Sequence, residues 1–222
     1  MGKVAPMARL LYVGTKNASS WSMRAWLALR EQKIPFEERL VDIRQPARAS
    51  ELARVATFSP PGAVPVLVEG DSVIFDSSAI MEYASELGER PLLPADARQR
   101  ARTRSLVAWM HSGLSAICGA LSFESTFYPT PPPAPSSAHR QAARVMAVWR
   151  EELARSSGPY LMGELSLADL TFVPVVRRFQ KRGIAIDADP LVASWAARLM
   201  SRSAVIEWMG EAEALPPVIL PE

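Results

Sequence analysis

The segment Val64-Pro65-Val66-Leu67-Val68-Glu69, Gly70-Asp71-Ser72, Val73-Ile74-Phe75, Asp76-Ser77-Ser78 holds two β-rich runs around a Gly-Asp turn, then a helix start. The runs read as a β-hairpin, because Gly-Asp supplies the turn and branched residues suit a pleated, half-buried surface. Asp76-Ser77-Ser78 then opens a helix that the apolar spacing carries to Leu87. Upstream, Ser59-Pro60-Pro61-Gly62 breaks the chain, and a short helix is expected over Ala49 to Ala56. Before it, Phe36 to Ile43 suggests a strand. Pro35 ends a helix over Trp21 to Gln32, in which Met23, Trp26 and Leu27 recur at helical spacing. Arg9 to Val13 is short and apolar, like a buried strand, and the polar loop Gly14 to Ser19 links it to that helix. Either Ser19 or Ser20 can cap the helix. The order strand–helix–strand–helix–strand–strand–helix is that of a thioredoxin fold. The first domain is therefore assigned to residues 1–88 as an α/β thioredoxin-like unit.

Pro91 and Pro94 mark a linker over residues 89–97, and no convincing strand follows it. An all-α helical bundle is expected over 98–222. Leu106, Trp109, Met110, Gly113, Leu114, Ile117, Cys118 and Leu121 trace one stripe along a single long helix. Five prolines between Tyr128 and Ser137 require a loop there, residues 129–137. Val145, Trp149 and Leu153 share a face of the next helix. Ser166-Leu-Ala-Asp169 has the form of a capping box, with Leu165 and Leu170 as its staple. Leu191, Trp195 and Leu199 mark a further helix, and the tail from Pro216 is too rich in proline to continue one.

Composition removes several classes of function. The 222 residues carry 25 basic and 23 acidic side chains, a net charge of +2. Residues 1–97 hold 11 basic against 12 acidic, and the remainder 14 against 11, so neither half has the basic excess that gripping nucleic acid requires. Arg98, Arg100, Arg102 and Arg104 spread around a helix and read as a solvated helix start. The single cysteine, Cys118, excludes an internal disulfide, and with only His111 and His139 beside it no structural zinc set is available, so no metal is expected. No apolar run approaches a membrane span and Met1 to Pro6 lacks an apolar signal core, so the expectation is a cytoplasmic protein without a membrane partner.

Three local features bear on chemistry. Ser19-Ser20-Trp21-Ser22 combines hydroxyls with the free N–H groups of a helix start, which can stabilise an anion or simply cap the helix. Val64-Pro65 precedes a strand; a cis bond there would leave the Val64 backbone groups free to pair with an extended peptide, whereas a trans bond would merely begin the strand. Asp76-Ser77 offers a carboxylate for an ammonium and a hydroxyl with free N–H groups for a carboxylate, or a cap and nothing more. In a thioredoxin fold all three gather at one end of the sheet. Together they suit a thiolate, a peptide backbone and an amino-acid head group, which is a description of glutathione.

Along nearly its whole length the chain resembles the soluble glutathione transferases. Ser-Ser-Trp-Ser-Met-Arg at 19–24 is similar to the Ser-Ser-Cys-Ser-x-Arg of the zeta class, and Ser59-Pro-Pro-Gly-Ala-Val-Pro-Val-Leu67 to the family's Asn-Pro-x-x-x-Val-Pro-x-Leu. Asp76-Ser-Ser-Ala-Ile80 resembles its Glu/Gln-Ser-x-Ala-Ile, and Ser166-Leu-Ala-Asp169 its Ser-x-Ala-Asp box. The resemblance implies a serine-type, zeta-like enzyme in which Ser19 donates a hydrogen bond to the glutathione sulfur, with Ser20 and Trp21 lining the pocket. Val64 would pair with the cysteinyl backbone across cis-Pro65, Ser77 would take the γ-glutamyl carboxylate and Asp76 its amino group. It further implies glutathione as co-substrate, an electrophilic small molecule as partner, and a homodimer built on the helix after Asp76 and the long helix. Departures are plain: Trp21 stands where the zeta class has cysteine, which counts against a maleylacetoacetate isomerase, and Gly62 and Ala63 lack polar side chains. A glutathione-dependent isomerase and a non-catalytic module that keeps the fold are the rival readings; serine at position 19 counts against a disulfide reductase. His111 lies beside the apolar stripe, near where the resembled family binds its second substrate, or is simply a structural or exposed histidine, and Cys118 reads as packing.

Overall fold

The computed structural model describes residues 8–217. Its first part runs β1 (Arg9–Gly14), α1 (Ser20–Glu31), β2 (Glu37–Val41), α2 (Arg48–Ala56), β3 (Val66–Glu69), β4 (Ser72–Phe75) and α3 (Ser77–Leu87). The four strands form one mixed sheet in the order β2-β1-β3-β4. β1 pairs parallel with β2, while β3 lies antiparallel to both β1 and β4, with Tyr12 opposite Val66 and Val68 opposite Val73. The α/β thioredoxin-like architecture is thus present, and the hairpin turns at Gly70, whose φ of 62° suits a residue without Cβ. Leu11, Val13, Leu67, Met23, Trp26 and Leu27 are all buried.

The second part is helical: α4 (Ala97–Ala108), α5 (Ser115–Ala120), α6 (Ser136–Arg155), α7 (Leu167–Lys181), α8 (Pro190–Met200) and α9 (Ser203–Glu213). Its only β pairings among the described residues are two isolated bridges, Tyr160 with Gly163 and Met162 with Glu164. The single long helix expected from the apolar stripe is not continuous. A π turn over Trp109–Gly113 separates α4 from α5, and the axis bends by 53°. Gly113 permits the turn: a Cβ there would lie 2.6 Å from Cδ1 of Trp109, whose ring packs edge-on against Phe172 at 6.3 Å. The stripe does supply core, since Leu106, Met110, Leu114, Ile117 and Leu121 are all buried, while Cys118 is half-buried beside them.

Three of the four arginines of α4 make specific contacts, while Arg98 is exposed as a solvated helix start expects. Arg100 donates to the carbonyls of Pro94 and Ala95, Arg102 pairs with the buried Glu152, and Arg104 grips Glu82 at 2.8 Å. The proline-rich loop is tied to α7, where Arg182 donates to the carbonyls of Pro132 and Pro133 and to the hydroxyl of Ser125. The capping box opens α7 as its sequence predicts. No single helix among the described residues is long and apolar enough to cross a membrane. The tail beyond residue 217 lies outside the described residues.

Candidate functional site

Local rules set the frame of the site. Ser19 is extended (φ −100°) and caps α1, its Oγ accepting from the Ser22 N–H at 3.2 Å. The Ser19 hydroxyl donates to Ser22 Oγ at 2.9 Å, and Ser22 Oγ accepts from the Gly14 N–H at 3.0 Å, so the end of β1 is tied to the first turn of α1. A Cβ on Gly14 would lie 2.9 Å from both Ser19 Cβ and Val64 Cγ2. Glycine is therefore needed for these segments to approach, and the Ser19 side chain and Val64 are near neighbours.

The Val64–Pro65 bond is cis, and Val64 stands two residues ahead of β3, outside the strand ladder. Asp76 takes φ 76°, a conformation a non-glycine residue adopts only when its surroundings impose it. Its Oδ1 accepts from the N–H and hydroxyl of Ser78, capping α3. Ser77, the first residue of α3, is buried at its N-terminus.

A cavity of about 220 Å³ opens among Trp21, Val64, Pro65, Asp76 and Ser77, with His111 completing its wall. Five of the seven candidate residues thus share one cavity. Ser19 is next to it, through Val64, without lining it. Ser20 turns the other way, toward the helical domain, where its hydroxyl accepts from Arg178 Nη2 at 3.1 Å.

Two further features bear on the site. His111 comes from the π turn, and its Nε2 lies 3.2 Å from Asp76 Oδ2 while its ring rests 4.9 Å from that of Trp21. The other is a pair of buried cations. Arg24 donates to the Thr171 carbonyl and stacks on Trp21 at 4.4 Å, and its Nη2 has no partner. Arg178 donates to the carbonyls of Leu121 and Pro174 as well as to Ser20. Burial draws the Arg24 guanidinium down to about 9, with neighbouring Arg178 pushing the same way, and burial also lowers Arg178. Neither forms an ion pair with a carboxylate among the described residues, whereas Lys16, the other buried cation near α1, sits between Glu38 at 2.9 Å and Glu211 at 2.6 Å. No group of three or more His, Cys, Asp or Glu among the described residues is placed to hold a metal.

A thioredoxin-like sheet with a cis-proline before β3 and an all-helical second domain defines a two-domain class of protein. Comparison with known proteins narrows it. Residues 18–87 match the glutathione S-transferase N-terminal domain and residues 115–203 the glutathione S-transferase C-terminal domain. Similar relatives include glutathione S-transferase theta-3 of Mus musculus, 24% identical over 78% of this chain and 75% of that protein. A probable maleylacetoacetate isomerase 2 of Drosophila melanogaster is 27% identical over 82% of this chain and 78% of its own. A stringent starvation protein A homologue of Pasteurella multocida is 27% identical over 83% and 82%. Among solved structures, glutathione transferase F2 of Populus trichocarpa superposes with a TM-score of 0.76 at 21% identity, covering 93% of this chain and 99% of that one. A Burkholderia glutathione transferase homologue with bound glutathione gives 0.66 at 23%, covering 92% and 97%. The chain belongs to the glutathione S-transferase family.

Proposed function

We propose that the protein binds glutathione in the Trp21–Val64–Ser77 cavity, holds its sulfur as the thiolate, and directs it at an electrophilic small molecule. The observation that carries this reading is the convergence of Trp21, Val64, cis-Pro65, Asp76 and Ser77 on one cavity, with the Ser19 side chain beside Val64. Val64 pairs with the cysteinyl backbone, Ser77 takes the γ-glutamyl carboxylate and Asp76 the ammonium. Turning the Ser19 hydroxyl from Ser22 toward the sulfur makes it the thiolate's donor, in keeping with a serine-type enzyme of zeta-like descent.

The magnitudes suffice. A free thiol titrates near 8.5, so only about 3% is thiolate at pH 7, and lowering that by two units takes about 2.7 kcal/mol. A charge-assisted hydrogen bond contributes roughly 1.5–3 kcal/mol and a helix N-terminus roughly 0.3–1. One hydroxyl and the start of α1 reach the requirement without a general base. Conjugation is the default reaction, in a cytoplasmic homodimer packed through α3 and α4.

The test is an ultraviolet titration of bound glutathione. In Ser19→Ala we expect the thiol pKa to rise by one to two units, on the order of the lost hydrogen bond, with the fold intact. An unchanged pKa removes Ser19 from the mechanism. Two relatives motivate other readings. The fly relative, a probable maleylacetoacetate isomerase, suggests a glutathione-dependent isomerase, against which Trp21 in place of cysteine argues. The starvation-protein homologue is not named as a transferase, and the rival reading is a binding module without turnover, which absence of glutathione binding at millimolar concentration by calorimetry would favour.

A further inference from the structure

His111 stands apart from the rest of the cavity wall. The other residues facing that space belong to the thioredoxin-like domain, and His111 alone reaches it from beyond the linker. It does so from a π turn, a local insertion that re-aims side chains and is frequent at functional sites. The turn brings Nε2 to 3.2 Å from Asp76 Oδ2, and the imidazole lies against Trp21. Asp76 is thereby divided: Oδ1 is used by Ser78 to start α3, and Oδ2 faces the cavity with His111 as its partner.

A carboxylate is an acceptor only, so whatever binds Oδ2 from the cavity must be a donor, and a cationic one binds best. We propose that His111 is a competing occupant of the γ-glutamyl subsite, and that it sets how tightly glutathione binds there. Its imidazole holds Asp76 Oδ2 as a stand-in for the ligand's α-ammonium, and a γ-glutamyl thiol peptide binds by exchanging that ammonium for the imidazole. The inference rests on the glutathione reading above and deepens it: His111 reduces the advantage that a free γ-glutamyl α-amine gives a thiol peptide at Asp76. A thiol peptide without the amine leaves His111 in place on Asp76 and gains nothing from the exchange.

The contact is of a strength that permits exchange. The two side chains are 37% and 40% exposed, so the polar contact is screened by water, and the ring of Trp21 adds one aromatic contact. Together these correspond to about a three- to fivefold bias toward the His111–Asp76 contact.

Calorimetry with glutathione, and with the analogue whose γ-glutamyl α-amino group is replaced by hydrogen, tests the proposal on the full chain. In His111→Ala we expect glutathione to bind about three- to fivefold more tightly, with the analogue unchanged. His111→Gln, which keeps a donor near Asp76, should return glutathione affinity toward that of the unaltered protein. Unchanged or weaker glutathione binding in His111→Ala, or equal tightening of both ligands, overturns the exchange while leaving the glutathione site standing. Failure of the unaltered protein and of His111→Ala alike to bind glutathione overturns both this inference and the glutathione reading.

Discussion

Arg24 and Arg178 pose the sharpest question at the scale of single residues. A buried charge is costly unless something compensates it, and these two guanidinium groups have backbone carbonyls, a hydroxyl and aromatic faces for company but no carboxylate. Both donate to Ser20, Arg24 to its carbonyl and Arg178 to its hydroxyl, immediately after the proposed thiolate donor. A unit charge about 8 Å from a thiolate, at an effective dielectric near 20, contributes about 2 kcal/mol, comparable with the hydrogen bond itself. The thiolate would supply the missing negative charge. We therefore predict that Arg178→Met raises the thiol pKa of bound glutathione by roughly one unit, while Arg178→Lys largely preserves it. The same ultraviolet titration measures both, and a thiol pKa in Arg178→Met equal to the unaltered value would show that the field of this residue does not reach the sulfur.

Among the elements, the caps and the hairpin are local, and the sequence announces them. Gly70-Asp71 fixes the turn between β3 and β4, and Ser166 with Asp169 fixes the start of α7. Asp169 goes beyond its helix: fully buried, it accepts from the N–H groups of Leu161 and Ser166, the Ser166 hydroxyl and Nε1 of Trp195. Burial pushes its carboxyl upward while those bonds pull it down. Asp169→Ala would leave several buried donors unpaired, and we expect a loss of about 3–5 kcal/mol in denaturant unfolding; a loss below about 1 kcal/mol would show that water replaces the carboxylate freely. The thioredoxin-like order was legible for the same reason, dependence on neighbours a few residues away. The residues around Pro65 left its cis bond open, however, and that bond and the roles of Val64, Asp76 and Ser77 came only from the family resemblance. The break between α4 and α5 was not legible, because helical periodicity runs through it unchanged. What makes the π turn is the packing of Trp109 on Phe172 and of His111 on Trp21, partners 63 and 90 positions away in the chain. Ser20 was misjudged on similar grounds, since its partner Arg178 lies 158 positions off.

Across the whole molecule, α1 belongs to both domains. One side of it packs on the sheet and α3, yet Arg24 reaches the Thr171 carbonyl in α7, Arg30 pairs with Glu207, and Glu31 pairs with Arg202. Trp26 meets Trp208 of α9 at 5.4 Å, and Lys16 lies over both rings while bridging Glu38 to Glu211. One buried apolar cluster accordingly runs from Leu11 to Ala212 without a seam at the linker. Removing the helical domain would expose Trp26 and take Glu211 from Lys16 and the Thr171 carbonyl from Arg24. Each large apolar side chain returned to water costs about 1.5–3 kcal/mol, and a unit of this size retains only about 3–5 kcal/mol in all. Residues 1–88 alone should therefore fail to fold cooperatively, although their secondary-structure order is complete. Near-ultraviolet circular dichroism and thermal melting of that fragment, beside the full chain, measure this. We expect the fragment to show no sharp transition and the full chain a single one. A fragment that melts cooperatively with native aromatic signals would mean that the sheet and its own helices bury enough without α7 and α9, and that the helical domain serves the site rather than the fold.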